Sequence, residues 1–270
     1  MGAVIYKPLI DEMRWSFSRV NAFENCPYEW YLRYLYGLEP DTSFYASYGS
    51  FIHKIIERFY RGEIQREYMV SEFLSGFSEN VVGKRPSEKI VASYIEKGIK
   101  YFEAFRPFPF ECVAVEDRIE FGIGQRNFIA FVDYVGQDER GDFVIIDHKS
   151  RDLKPLSGRS LKKTLKDEEL LHYLQQLYLY AEAVRQKYGK LPTKLCFNCF
   201  KSGVFITNPF DPEQFEQVKR DILKEIEYIS EQEEFPPRLD WFYCNNLCGF
   251  PNDCEYKEMM WGDDHKRFRY

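Results

Sequence analysis

The sequence predicts an α/β protein in which a mixed central sheet is flanked by helices. Three observations carry that prediction. The first hundred or so residues repeat their apolar positions at three- and four-residue spacing, the period of helices packed on a core. The middle then switches to short runs rich in Val, Ile and Phe separated by turn residues, which reads as adjacent strands. After these comes a long helical pattern, further strand-like segments and another helix, an order that suits a sheet covered by helices.

Taken in order, residues 18–36 read as a helix with mixed apolar and aromatic positions. Residues 49–60 continue the helical period with Phe51, Ile52, Ile55, Ile56 and Phe59 on one side. Residues 87–105 form another helix, with Pro86 before it and Pro107 closing it. Residues 112–121 read as a strand, 122–126 as a turn with two glycines, and 127–135 and 142–149 as two more strands. A loop leads to a helix over 167–188, and 194–207 holds one or two further strands. Asp211-Pro212 supplies an N-cap followed by proline at the first helical position, and that helix runs to about 232. The last stretch, 235–270, is irregular and contains three cysteines. The whole chain, 1–270, reads as one domain: a mainly helical part over 1–110, a sheet core over 111–207, and a C-terminal helix with its cysteine segment over 208–270.

Composition narrows the function classes. The net charge is −6 and charged residues make up 30% of the 270 residues, so this is no simple basic nucleic-acid binder; a DNA-binding surface would have to be a local patch. The 24 Phe, 20 Tyr and 4 Trp suit either an aromatic core or stacking platforms for bases. No export signal is visible at 1–10, and no apolar run approaches a membrane span. A cytoplasmic protein without membrane contact is therefore expected, and its seven cysteines are expected to serve metal binding or catalysis before disulfides.

The chemistry concentrates at Val144-Ile145-Ile146-Asp147-His148-Lys149. Residues two apart on a strand share a face, so Asp147 and Lys149 project together from the end of an apolar strand. A carboxylate there can bind a hard divalent cation, and the lysine can orient water or offset charge on a phosphate. A solvated strand end is the ordinary alternative. Asp133 sits inside the apolar run Phe128-Ile129-Ala130-Phe131-Val132-Asp133-Tyr134-Val135, where an acid is costly unless it is paired or coordinates a metal. A salt bridge to an arginine or to Lys149 would satisfy it equally. His53 lies on the apolar side of its helix with Glu57 one turn on, placed to orient it. Gln176 and Tyr180 share one face of the 167–188 helix with His172.

This ordered set resembles the RecB-like branch of the PD-(D/E)XK nucleases, which includes the nuclease domains of RecB and AddB and the CRISPR-associated RecB-like exonucleases. Gly49 to His53 resembles that family's Gly-x-x-x-His helix, Asp133 the acid of its second motif, Asp147-His148-Lys149 its third motif, and Gln176 with Tyr180 its Gln-x-x-x-Tyr motif. Glu116 is similar to a family acid that precedes the second motif. The resemblance covers 16–256 and implies a restriction-endonuclease-like core. It implies Mg²⁺ or Mn²⁺ held by His53, Asp133, Asp147 and the backbone carbonyl of His148. Lys149 would act with Asp147 and Asp133 in phosphodiester hydrolysis, and Gln176 and Tyr180 would contact DNA. An exonuclease on single-stranded or end-containing DNA is the expected activity. A non-catalytic or partner-dependent DNA-binding subunit of a repair, recombination or CRISPR adaptation complex is the alternative, which the intact set of acids and Lys149 disfavours. No helicase P-loop is present, so a helicase or integrase-type partner would be a separate chain.

Cys244, Cys248 and Cys254 cluster near the end, and Cys26 lies far upstream. Four thiolates suit a tetrahedral Zn²⁺ or an iron–sulfur cluster, and the one-plus-three division departs from the two close pairs usual for zinc. The layout resembles the 4Fe-4S staple of the AddB and CRISPR-associated nucleases, with Cys244-x-x-x-Cys248 where that family often has Cys-x-x-Cys. Cys196 and Cys199 fall in an apolar strand and read as core. After Lys149, the basic residues Arg151, Lys154, Arg159, Lys162, Lys163 and Lys166 leave the active strand directly and could line a phosphate channel.

Overall fold

The computed structural model describes residues 5–158 and 163–260; Arg159 and Lys162 of the basic run lie outside them. A six-stranded sheet has the order β1-β3-β4-β5-β6, with β2 pairing β3 off that path. The strands are β1 (Arg14–Trp15), β2 (Glu111–Ile123), β3 (Arg126–Gln137), β4 (Phe143–Lys149), β5 (Pro192–Cys199) and β6 (Val204–Pro209). The pairs β2–β3, β3–β4 and β5–β6 are antiparallel, whereas β1–β3 and β4–β5 are parallel. The mixed sheet is thus the predicted one.

β4 owes its central place to an uninterrupted apolar run. Val144, Ile145 and Ile146 are fully buried, as a strand covered on both faces requires. Ile145 packs in one core with Leu195 and Phe197 of β5, under α7 (Leu165–Tyr188) and α8 (Pro212–Ser230). Val144 and Ile146 face the other way, against Tyr134, Cys196 and Tyr60. Joining parallel neighbours β4 and β5 requires a crossover, and α7 supplies it. Thr164 and Asp167 form a capping box at its start, and Gly189, at φ 78°, ends it in the left-handed conformation that glycine adopts without cost.

Three further helices, α4 (Phe44–Tyr60), α5 (Met69–Asn80) and α6 (Glu88–Ala104), build a second core around Phe44, Tyr48, Phe51, Phe73 and Phe102. The small residue Gly98 lets α6 approach α5, since a Cβ there would stand 2.3 Å from the Phe73 ring. Elsewhere, α2 (Phe17–Asn25) and α3 (Pro27–Tyr34) join the sheet core through Val20, Phe23 and Trp30.

The structure corrects several sequence expectations. The single helix expected over 18–36 is two, broken at Cys26, whose backbone is extended at φ −159° and ψ 108° while Pro27 starts the next helix. The helix expected from 49 begins at Phe44, capped by the Ser43 side chain. The turn expected over 122–126 shrinks to Gly124 and Gln125, because pairing of β2 with β3 continues to Ile123↔Arg126. The segment 194–207 is two strands. Neither β1 nor α5, nor the short α1 (Lys7–Asp11), is expected individually from the sequence.

Candidate active site

The site forms where β3 and β4 part. Their antiparallel ladder runs from Gln137↔Phe143 to Tyr134↔Ile146, whereas β4 stays paired with β5 as far as Lys149↔Cys199. Beyond the last β3–β4 pair the Asp133 carboxylate replaces the ladder, accepting the His148 N–H at 2.6 Å. This leaves Asp133 and Asp147 only 6% and 2% exposed at the splayed ends of two strands. Among the described residues neither an arginine nor Lys149 pairs with Asp133. Its charged neighbour is His53, whose Nδ1 lies 3.6 Å from Asp133 Oδ2.

His53 projects from α4 between three acceptors. Its Nδ1 is 3.3 Å from Glu116 Oε1, and its Nε2 is 3.2 Å from the His148 carbonyl oxygen. Glu57, expected to orient His53, pairs instead with Arg61 at 2.6 Å; the orienting acid is Glu116. In the β2–β3 register, Glu116 falls between Val115↔Tyr134 and Asp117↔Val132, opposite Asp133. Its φ is +48°, the one non-glycine residue in the left-handed region among the described residues. Such a conformation costs of order 1–3 kcal/mol and recurs where function needs a side chain re-aimed. The sequence signal for Glu116 was an acid in an otherwise strand-like run.

One ligand atom each of His53, Glu116 and Asp133 lies within 4.8 Å of the others. The His148 carbonyl joins them through its contact with His53. Asp147 Oδ2 is buried and accepts no hydrogen bond, although Lys149 Nζ stands 2.8 Å away outside hydrogen-bond geometry. Burial lowers the proton affinity of His53, but Asp133, Glu116 and Asp147 outweigh it and hold its pKa up, at about 9. Burial drives Asp133 upward, and the neighbouring Asp147 and Glu116 add to that against the pull of His53. Carboxylates that crowd one another in this way call for a cation. A hard oxygen-rich donor set with one imidazole fits a divalent metal of the Mg²⁺ or Mn²⁺ type.

Lys149 is held from the other side. Its Nζ donates to Gln176 Oε1 at 2.6 Å, and Gln176 Nε2 donates to the Tyr180 hydroxyl at 2.6 Å. The ammonium also lies 5.0 Å from the centre of the Tyr173 ring, a cation–π arrangement. Tyr180 is 8% exposed, which places it behind Gln176. His172 turns away to Asn21, with Nε2 at 2.9 Å from Oδ1. Arg151 reaches Glu169 at 3.5 Å, and Lys154 is exposed on the loop beyond the strand.

With this geometry in place, sequence comparison gives the affiliation. The model of the PD-(D/E)XK nuclease superfamily matches residues 14–259. The chain belongs to that superfamily. Among solved structures it is similar to a candidate exonuclease from Eubacterium rectale, with a TM-score of 0.52 at 11% identity, over 96% of this chain and 92% of that one. At such identity the likeness concerns the fold. No curated protein matches the chain in sequence.

Four of the cysteines come together away from this site. Cys26, at the break between α2 and α3, lines one cavity of about 300 Å³ together with Cys244, Cys248 and Cys254. Glu29 ties the two chain segments together there: its carboxylate accepts Gly249 N–H at 3.1 Å and the Tyr243 hydroxyl at 2.7 Å. Asp41 N–H donates to the Gly249 carbonyl at 2.6 Å. Burial raises the pKa of Cys244, Cys248 and Cys254, Cys248 to about 12. Such thiols are inert unless a metal centre deprotonates them. Cys196 and Cys199 are fully buried core residues. Among the described residues no helix is long and apolar enough to cross a membrane.

Proposed function

We propose that this chain is a metal-dependent DNA nuclease of the RecB-like branch, an exonuclease on single-stranded or end-containing DNA, and that 1–270 forms one nuclease domain. The observation that carries this is the grouping of His53, Glu116 and Asp133 at the parting of β3 and β4, with Asp147 close enough for its charge to act on His53 and Asp133 and Lys149 2.8 Å from Asp147. His53, Glu116, Asp133, Asp147 and the His148 carbonyl would hold Mg²⁺ or Mn²⁺. When bound, the cation would polarise the scissile phosphate and acidify water.

The chain's own residues do the rest. Glu116 and Asp133 hold the His53 ring by Nδ1, which turns Nε2 towards the His148 carbonyl. Gln176, braced by Tyr180, fixes the Lys149 ammonium beside Asp147. From there Lys149 offsets charge developing on the phosphate and orients the attacking water. Gln176, Tyr180, Arg151 and Lys154 form the DNA-facing side of the site, with Tyr180 acting through Gln176. The four-cysteine cavity holds a 4Fe-4S cluster in this account. Its support is the convergence of one upstream and three downstream thiols; a zinc ion would be the other occupant of four thiolates. A helicase or integrase-type partner would supply strand separation or DNA ends.

The test is digestion of end-labelled single-stranded DNA with Mn²⁺ by anaerobically prepared wild-type protein and Asp147→Ala, with iron and zinc content measured on the same sample. Metal-dependent cleavage lost in Asp147→Ala, from a brown iron-containing protein, is the expected result. A folded wild-type protein that leaves DNA intact would overturn the catalytic reading, and zinc in place of iron would overturn the cluster.

A further inference from the structure

Behind the active site, on the face where His148 points, lies an open groove of about 520 Å³ between the C-terminal half of α6, the 105–109 segment and the β5–β6 turn. We infer that this groove binds a single-stranded segment of nucleic acid, with a base on its aromatic wall and the phosphates on its basic rim. The nucleic-acid class rests on the nuclease reading; the groove itself rests on separate observations.

The first is charge. The molecule carries a net charge of −6, yet the residues lining this groove include Lys97, Lys100, Arg106 and Lys201 and no Asp or Glu. Lys100 pairs with Glu96 at 2.5 Å, but Lys97 and Lys201 make no salt bridge among the described residues. Lys201 rests on Tyr94, with Nζ 3.1 Å from its hydroxyl and 4.7 Å from the ring centre, so its charge is held in place rather than dispersed. A local cationic rim on an acidic protein is the footprint of a polyanion.

The second is the wall. Phe108 sits between Pro107 and Pro109, its N–H donating to the Tyr60 hydroxyl at 2.8 Å and its ring stacked on Tyr60 at 5.5 Å and 15°. Phe205 of β6 lies 5.7 Å from Phe108 and is 42% exposed. A large aromatic ring left facing a basic groove offers the surface on which bases of any sequence stack.

The third is continuity with the site. The groove floor includes Asn198, only 5% exposed, whose Nδ2 lies 2.7 Å from the Tyr101 hydroxyl and 3.2 Å from His148 Nδ1. The Phe108 ring is 5.9 Å from the His148 ring, and the carbonyl of His148 faces His53 in the active site. His148 thus stands between the groove and the candidate metal site, its ring towards the one and its carbonyl towards the other.

Binding of a fluorescein-labelled oligothymidylate, followed by anisotropy in EDTA over a range of salt, tests this without turnover. Phe205→Ala is expected to weaken binding by roughly 5- to 150-fold, the range of one base–aromatic stack. The double variant Lys97→Ala/Lys201→Ala is expected to flatten the log–log salt slope by about 0.7 for each phosphate that is no longer neutralised. Lys224→Ala, at an exposed position of α8 outside the groove lining, serves as the control and should bind as wild type does. Wild-type affinity and slope in both groove variants would overturn the inference, even if the wild-type enzyme cleaves DNA. Loss of binding in the groove variants of a protein that cuts nothing would uphold the groove and sink the nuclease reading. Failure of the wild type to bind would overturn the groove and leave the nuclease reading to the cleavage assay.

Discussion

Glu116 provides a test in which the sign of a stability difference reveals why the residue is there. Two substitutions, Glu116→Gly and Glu116→Ala, remove the same carboxylate and the same contact to His53. They differ only in the backbone they leave at φ +48°. At an ordinary strand position alanine is the more stable choice by about 0.5–1 kcal/mol, since glycine loses more chain entropy on folding. In the left-handed region a Cβ costs roughly 1–2 kcal/mol. At the middle of each range the second effect outweighs the first, so the glycine variant should exceed the alanine variant by about 0.7 kcal/mol. For a chain of this size that corresponds to a few degrees at most in melting temperature. The assay is urea and thermal unfolding in EDTA, which keeps metal out of the comparison. Both variants should lose Mn²⁺ affinity alike, because neither has the carboxylate. An alanine variant as stable as the glycine variant, or more so, would refute the claim that Glu116 is held in a strained conformation to reach His53.

The remaining predictions concern packing, acid stability and the lysine. Gly98→Ala should destabilise by about 1–3 kcal/mol in urea titration, reversing the usual gain of alanine in a helix, because its Cβ would overlap the buried Phe73 ring. Asp167 accepts hydrogen bonds from the backbone and hydroxyls of Ser157 and Thr164, at 2.7 Å from Ser157 N and 2.8 Å from the other three donors. These bonds hold its pKa far below the usual carboxylate value. Its stabilisation is thus present above the unfolded pKa of about 3.9 and lost as pH falls through the lower folded value. The stability gap between wild type and Asp167→Asn should be constant above about pH 5 and close in more acid solution; a gap that widens there would contradict the assignment. Gln176→Ala should lower kcat on the order of 10- to 100-fold, as misplacing Lys149 predicts. Tyr180→Phe should act in the same direction but more weakly, because only the brace on Gln176 is lost; steady-state rates on labelled DNA decide both.

Much of the site was legible because its residues break local rules. An acid within the apolar run from Phe128 to Val135 and an Asp-x-Lys closing the run from Val144 are visible as costly placements, and the structure brings both acids to one splayed end. The helical position of His53 was equally readable from its apolar neighbours. Its partner was not. Glu57 is one turn away along the sequence, but i,i+4 geometry serves Arg61 as well. Glu116 reaches His53 only through a backbone conformation that residue type does not encode. The break at Cys26 was hidden because the helical period of 18–36 continues through it, and only the extended backbone before Pro27 shows the reset. The two-residue β1 is too short for any periodicity. The groove behind His148 assembles α6, a proline-flanked segment and a turn from distant parts of the chain, so no local run announces it.

The central claim is that His53, Asp133 and Asp147 form one metal site, and titration of Mn²⁺ into the protein measures that directly. Electron paramagnetic resonance of free Mn²⁺ can follow wild type and Asp133→Asn, with circular dichroism confirming that the variant is folded. The account predicts saturable binding to the wild type and a loss of affinity of at least about 10-fold in the variant, as loss of a carboxylate at a metal centre entails. Equal binding by both proteins, or none by the wild type, would contradict it.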